Sequence, residues 1–161
     1  MAVRKLVLDD FFDEEQYTLI GIHCTLEDYR LAYLLNKYLE INLLRKPEDL
    51  DFDKGKSVYS IFEWEDSKHL KTWSLVSNIC KREEQNKTTY VSLFETQEPI
   101  IKTYNLIPEY KQVNFFLKIE NEYNDSKEKY IVKQILSIPQ IVTAYSIDTS
   151  QLKSKANLIF S

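Results

Sequence analysis

Glycine is almost missing: Gly21 and Gly55 are the only two in 161 residues. A dinucleotide-binding fingerprint needs three glycines, and a phosphate loop needs two at fixed spacing before Lys and Ser or Thr, because backbone must approach phosphate closely. Both motifs are excluded. Cysteine is equally scarce, with Cys24 and Cys80 alone, so one disulfide is the maximum and a disulfide-stapled secreted scaffold is ruled out. Both cysteines read as buried, reduced thiols. The two histidines, His23 and His69, stand too far from a usable partner set to give a metal-ligand spacing. No window approaches the roughly 18 continuous apolar residues of a membrane helix, and the apolar run after Met1 is too short for a signal peptide. The expectation is a cytoplasmic protein with no membrane contact. Excess positive charge is lacking too: the net charge is -4. A general basic surface for nucleic acid or anionic lipid is therefore absent, and nucleic acid is not the favoured partner.

What is present is a core. With 43% hydrophobic residues, the chain is long enough for one α+β domain, residues 1–161, and short for two. Tyr17 to Cys24 is rich in β-formers and predicts a buried strand. Thr25-Leu26-Glu27-Asp28 predicts a helix start capped by Thr25, and Leu31, Leu34, Leu35 and Tyr38 form one apolar stripe up to about Glu40. Ile41 to Arg45 predicts a short strand, stopped by Pro47 and a polar run to Lys56. Val58 to Asp66 and Leu70 to Lys81 alternate on either side of Ser67-Lys68-His69 and predict a long hairpin. Lys81 to Thr88 reads as a charged loop and Thr89 to Phe94 as a further strand. Asp125 to Glu128 starts a second helix with Ile131, Val132, Ile135 and Leu136 on its apolar stripe, ended by Pro139. Ile141 to Ile147 predicts a strand, and Leu158 to Phe160 a weaker one.

The most regular alternation follows a proline turn: Leu106-Ile107-Pro108-Glu109-Tyr110-Lys111-Gln112-Val113-Asn114-Phe115-Phe116-Leu117-Lys118-Ile119. Pro108 fixes φ and biases Ile107 toward extended backbone, predicting a rigid approach to a half-buried strand with Val113, Phe115, Leu117 and Ile119 inward. Tyr17 to Arg45 and Val113 to Ile147 then share the order strand, capped helix, strand. This predicts a two-layer sandwich: a mainly antiparallel sheet with two helices on one face, in a ferredoxin-like arrangement of two βαβ-like halves.

The stretch Ile107-Pro108-Glu109, three residues, Val113-Asn114-Phe115 resembles the signature of the IPExxxVDY family, a small family of Bacteroidetes-type bacteria. Leu6 to Asp10, Leu26 to Tyr33 and Leu152-Lys153-Ser154-Lys155 are also similar to it, so the resemblance spans almost the whole chain. Asn114-Phe115 stands where the family has Asp-Tyr, which argues against either position being an obligatory catalytic group. The resemblance implies no particular activity. Genes of the family lying near those for ribonuclease III and pyruvate kinase imply, as an alternative, a role in RNA processing or ribosome function.

Each candidate site has a plainer reading beside it. His23-Cys24 suggests a nucleophilic pair, yet adjacent strand residues point to opposite faces and cannot meet without a bulge. His69 reads as a solvated turn residue. Asp9, Asp10, Asp13, Glu14 and Glu15 around Phe11-Phe12 could hold Mg²⁺ or dock a partner, but charge runs are usually solvated. Tyr59, Phe62, Trp64 and Trp73 suggest base stacking, yet the RNA-recognition signature is missing and core packing explains them better. Arg45, Lys46, Lys54 and Lys56 with Lys81-Arg82 form a basic patch only if their loops meet. No catalytic, cofactor-binding or metal-binding residue rises above these readings. The expectation is a non-catalytic binding or adaptor protein with a protein partner, and an enzyme of unrecognised type is a further alternative. Glu109, Tyr110, Lys111 and Asn114 are the residues expected to contact that partner, with Glu109 accepting from Arg or amide groups.

Overall fold

The computed structural model describes residues 16–84, 99–120 and 124–160. The acidic segment from Asp9 to Glu15 and the strand expected at Thr89 to Phe94 lie outside them. Among the described residues ten strands and two helices follow in order: β1 (Tyr17–Cys24), α1 (Asp28–Leu39), β2 (Leu44–Arg45), β3 (Leu50–Phe52), β4 (Ser57–Tyr59), β5 (Ile61–Asp66), β6 (Lys71–Ser77), β7 (Ile79–Glu84), β8 (Ile100–Asn105), β9 (Phe115–Glu120), α2 (Asp125–Leu136) and β10 (Ile141–Ser146). Six strands make one sheet in the order β10-β1-β9-β6-β5-β2. Every neighbouring pair in it is antiparallel.

Leu31, Ala32 and Leu35 of α1 share a core with Ile131 and Ile135 of α2 and with Ile20, Ile22, Leu75, Leu117 and Ile119 of the sheet. The two helices therefore cover one face, giving the expected two-layer α+β sandwich. Since β9 and β10 both run antiparallel to β1, they are parallel to each other with β1 between, and α2 makes the crossover. The first half is wider. Between β1 and β2 lie β9 and the β5–β6 hairpin, an insertion that a close βαβ pairing does not have.

The second face of the sheet is covered as well, which corrects the half-buried reading of β9. Leu19, Val76 and Phe116 point away from the helices into another core with Tyr59, Ile61, Leu106, Ile107, Val113, Ile147, Leu152 and Leu158. Connections supply this cover, and their apolar residues carry no periodicity that sequence reading could detect. Val113 precedes β9 and lies in this second core, not with Phe115, Leu117 and Ile119.

Other boundaries moved for local reasons. The polar run before Lys56 is a hairpin, with β3 paired to β4 across left-handed Asp53, Lys54 and Gly55. Residues 79–84 form β7, paired with β8, where one strand was expected to run on to Lys81 and a charged loop to follow it. Thr25 does not cap α1: Glu27 holds the cap position without a side-chain bond. Asn124 caps α2, accepting from Ser126 N. Leu136 is exposed, and Lys155–Leu158 is a 3-10 turn in place of the weak last strand.

Candidate functional site

The proline motif is held by one asparagine that sequence reading passed over. Asn78 is fully buried where β6 ends and β7 leaves for its own two-stranded sheet. Its Nδ2 donates to Tyr110 O and Val113 O at 2.8 Å each, and its Oδ1 accepts from Ile107 N at 2.8 Å. Its backbone N–H donates to Asn114 O, and its carbonyl accepts from Leu106 N. All three side-chain bonds go to the loop that contains Pro108. Buried polar groups must be paired, so this asparagine satisfies loop backbone that no ladder serves. Its only mark in the sequence is a second consecutive polar residue, Ser77-Asn78, in the alternating run from Leu70 to Lys81.

Pro108–Tyr110 makes a single 3-10 turn after extended Ile107, as the proline predicts. Glu109, the next residue, is exposed, yet its carboxylate serves its own chain. Oε2 accepts from Lys153 N and Ser154 N at 3.0 Å each, and Oε1 from Ser154 Oγ at 2.7 Å. The Ser154 side-chain and backbone donors hold the Glu109 carboxyl below its ordinary value of 4.5. Asn114 Oδ1 likewise accepts from Cys24 N at 3.1 Å, at the end of β1. Glu109 and Asn114 were expected to be available to a partner; both instead have side-chain acceptors engaged within the chain.

Tyr110 and Lys111 remain at the surface, half-buried and exposed. With Pro108, Gln112 and Val113 they line an open groove of about 370 Å³ closed on one side by Tyr145 of β10. The Tyr145 hydroxyl lies 3.0 Å from His23 Nε2. Burial, and then the nearby Tyr110 phenol, push the Tyr145 hydroxyl up, so it is a neutral hydrogen-bonding group at neutral pH. His23 therefore pairs with Tyr145 and not with Cys24, which lies in the core under the helices. Burial also raises the Cys24 thiol, outweighing a backbone hydrogen bond at Leu26 that lowers it. Cys80 sits in the core on the opposite face, so the sheet separates the two thiols.

The remaining candidates fall elsewhere. His69 caps the β5–β6 hairpin, its Nδ1 2.7 Å from Asp66 Oδ2. Burial disfavours the Asp66 charge, but the hydrogen bonds from His69 outweigh it and leave the carboxyl lowered. Phe62 and Trp73 are buried with the helices, and Tyr59 in the opposite core. Of the six residues of the basic patch, Arg82 and Lys56 come together: Arg82 Nη2 donates to Gly55 O at 2.8 Å, bringing β7 to the β3–β4 turn. Lys56 and Lys102 ammonium groups there lie 5.8 and 5.4 Å from the Tyr104 ring centre. Arg45 instead pairs with Asp49, and Lys46 with Glu63. Among the described residues no three His, Cys, Asp or Glu side chains gather as metal ligands would, and no helix is long and apolar enough to cross a membrane.

No family model matches the chain, and searches of curated proteins and of solved structures return no match either.

Proposed function

We propose that the protein is a non-catalytic binding or adaptor protein of the cytoplasm that engages a protein partner through the surface made by Tyr110, Lys111 and Tyr145. The observation that carries this reading is the way the groove is built. Asn78 holds its backbone, Glu109 ties it to Lys153 and Ser154 and Asn114 ties it to Cys24, while the half-buried Tyr110 ring and the exposed Lys111 line its open side. A surface held rigid before binding loses little entropy on binding. Tyrosine supplies large contact area with few torsions to freeze. Membership of the IPExxxVDY family is part of the proposal. It is supported by the joining of two stretches that carry the resemblance, Glu109 to Lys153-Ser154. The test is a photo-crosslinking phenylalanine analogue at Tyr110 in the native cells. The expected result is a nuclease-resistant protein adduct that Lys111→Glu diminishes; absence of any adduct would sink the reading.

A second reading, an accessory role in RNA processing, is favoured by Lys56 and Lys102 over the Tyr104 ring, with Arg82 bonded to the neighbouring Gly55 O and Glu84 also paired to Lys102. Cations beside a half-buried ring suit phosphate and base together. It predicts RNA retention that weakens steeply with salt and is lost in Lys56→Glu/Lys102→Glu.

A further inference from the structure

A proton can rearrange one pair beside the groove, His23 and Tyr145. Gly21 of β1 faces Val113 and Ile147, and His23, two residues on, shares that face of the sheet because strand side chains alternate. Tyr145 of β10 lines the groove on the same face. His23 is half-buried and Tyr145 is 37% exposed; their ring centres are 5.5 Å apart, with Nε2 3.0 Å from the hydroxyl. At that distance one atom donates and the other accepts. A neutral imidazole has one N–H and one acceptor nitrogen, whereas an imidazolium has two N–H groups and no acceptor. A phenol donates better than it accepts, because its oxygen lone pair is partly delocalised into the ring. Towards neutral His23, therefore, the Tyr145 hydroxyl donates and Nε2 accepts. Towards charged His23 that arrangement is impossible: Nε2–H donates, the Tyr145 oxygen accepts, and the phenol's own O–H turns away from His23.

We infer that protonation of His23 reverses this hydrogen bond, turning Tyr145 from a hydroxyl that offers the groove only lone pairs into one that offers it a proton, so that a partner's carbonyl oxygen is held more tightly in acid. Histidine ordinarily changes charge between about pH 5 and 8, where other ordinary side chains keep theirs. The charged and titratable groups on the elements around His23 are Glu109, Tyr110 and Lys111 of the proline turn and Asp148 after β10. The Glu109 and Asp148 carboxylates accept from Ser154 and Ser150. Glu27 and Asp28 belong to the start of α1, which packs on the opposite face. Among the described residues no ion pair joins any of these to His23. Glu109 and Lys111 balance each other in the lining, so net charge selects neither a carboxylate nor an ammonium group. The neutral carbonyl oxygen of a peptide is the acceptor that the released hydroxyl proton serves.

The inference rests on the protein-binding reading and adds its regulation. The reversal is read in the full chain from the imidazole nitrogen resonances of isotope-labelled histidine, assigned with His69→Asn, which leaves His23 as the one histidine. At about pH 8 His23 Nε2 is expected to resonate as an unprotonated nitrogen, and at about pH 5 as an N–H. Tyr145→Phe should move neutral His23 toward its Nε2–H tautomer. An Nε2–H already present at about pH 8 would overturn the inference. The effect on a partner is read as the yield of the Tyr110 crosslink in lysate adjusted to about pH 6 and about pH 8. Roughly three- to tenfold more adduct is expected at the lower pH, the fold-change that one hydrogen bond is worth. His23→Gln and Tyr145→Phe should each make the two yields equal. Equal yields in the wild type, or a pH dependence that survives both variants, would overturn the inference and leave the protein-binding reading standing. No adduct at either pH would overturn that reading, and the nitrogen resonances alone would then decide the reversal.

Discussion

Asn78 and Glu109 show how differently two polar residues of one motif act. Asn78 is buried at 0% exposure and both donates and accepts, so each change has a separate outcome. Asn78→Ala strands Ile107 N and Val113 O inside the protein and leaves Tyr110 O with Val113 N alone. The expected loss is roughly 3 to 5 kcal/mol of unfolding free energy, measured by urea titration. Asn78→Asp, nearly the same shape, should be no better, because a carboxylate cannot donate to the two carbonyls. Glu109 is exposed, so solvent screens its charge, and Glu109→Gln should cost only about 1 kcal/mol at neutral pH. Its folded-state carboxyl is lowered, so its contribution is present above the ordinary value of 4.5 and is lost as pH falls through the lower folded value. Melts of wild type and Glu109→Gln should therefore differ at pH 7 and converge as the pH falls through the lowered folded value. A gap that persists in acid would show that the hydrogen bonds do not depend on the charge.

At the level of elements, β1 and β9 carry the fold because both their faces are buried. Phe115→Ala should cost roughly 3 to 5 kcal/mol by denaturant titration, as large core truncations do. The same strands explain Gly21. A Cβ there would lie 3.0 Å from Ile147 Cδ1 and 3.2 Å from Val113 Cγ2, because Val113 and Ile147 fold down over the sheet at that point. Gly21→Ala should destabilise by about 1 to 2 kcal/mol through overpacking. Adding Val113→Ala should recover part of that loss, a coupling that a double-mutant cycle measures. The helices were legible from their single apolar stripes, as was the β5–β6 hairpin from two alternating runs. Strands β7 and β8 were not, because β7 reads as a charged run, Lys81-Arg82-Glu83-Glu84, and its pairing partner lies beyond a long insertion.

Across the whole molecule, the C-terminal segment joins the motif and the sheet into one face. Lys118 is 1% exposed, yet its ammonium donates to Leu158 O at 2.8 Å and lies 3.2 Å from Glu120 Oε1, between the Tyr17 and Phe160 rings. Asn157 Nδ2 donates to Leu106 O at 2.9 Å, a further tie between the segment and the motif. Lys118→Ala leaves a cavity and a carbonyl without its donor, with an expected cost of roughly 2 to 4 kcal/mol by thermal or urea denaturation. Lys118→Met keeps the stem's volume and should cost clearly less, since buried charges are often replaceable by apolar groups of similar size. The sequence by itself determined the class of this protein: an α+β fold, two helices with single stripes, strands from alternation, and no glycine loop for phosphate, because these depend on local period and composition. Only the tertiary structure decided which polar residues are available at the surface. Glu109 and Asn114 look free in one dimension, but Ser154 lies 45 residues from Glu109 and Cys24 lies 90 from Asn114. A hydrogen bond between such distant residues has no local pattern. The same holds for β10, whose sequence reads as an ordinary strand: its place at the edge follows from the order of the other strands.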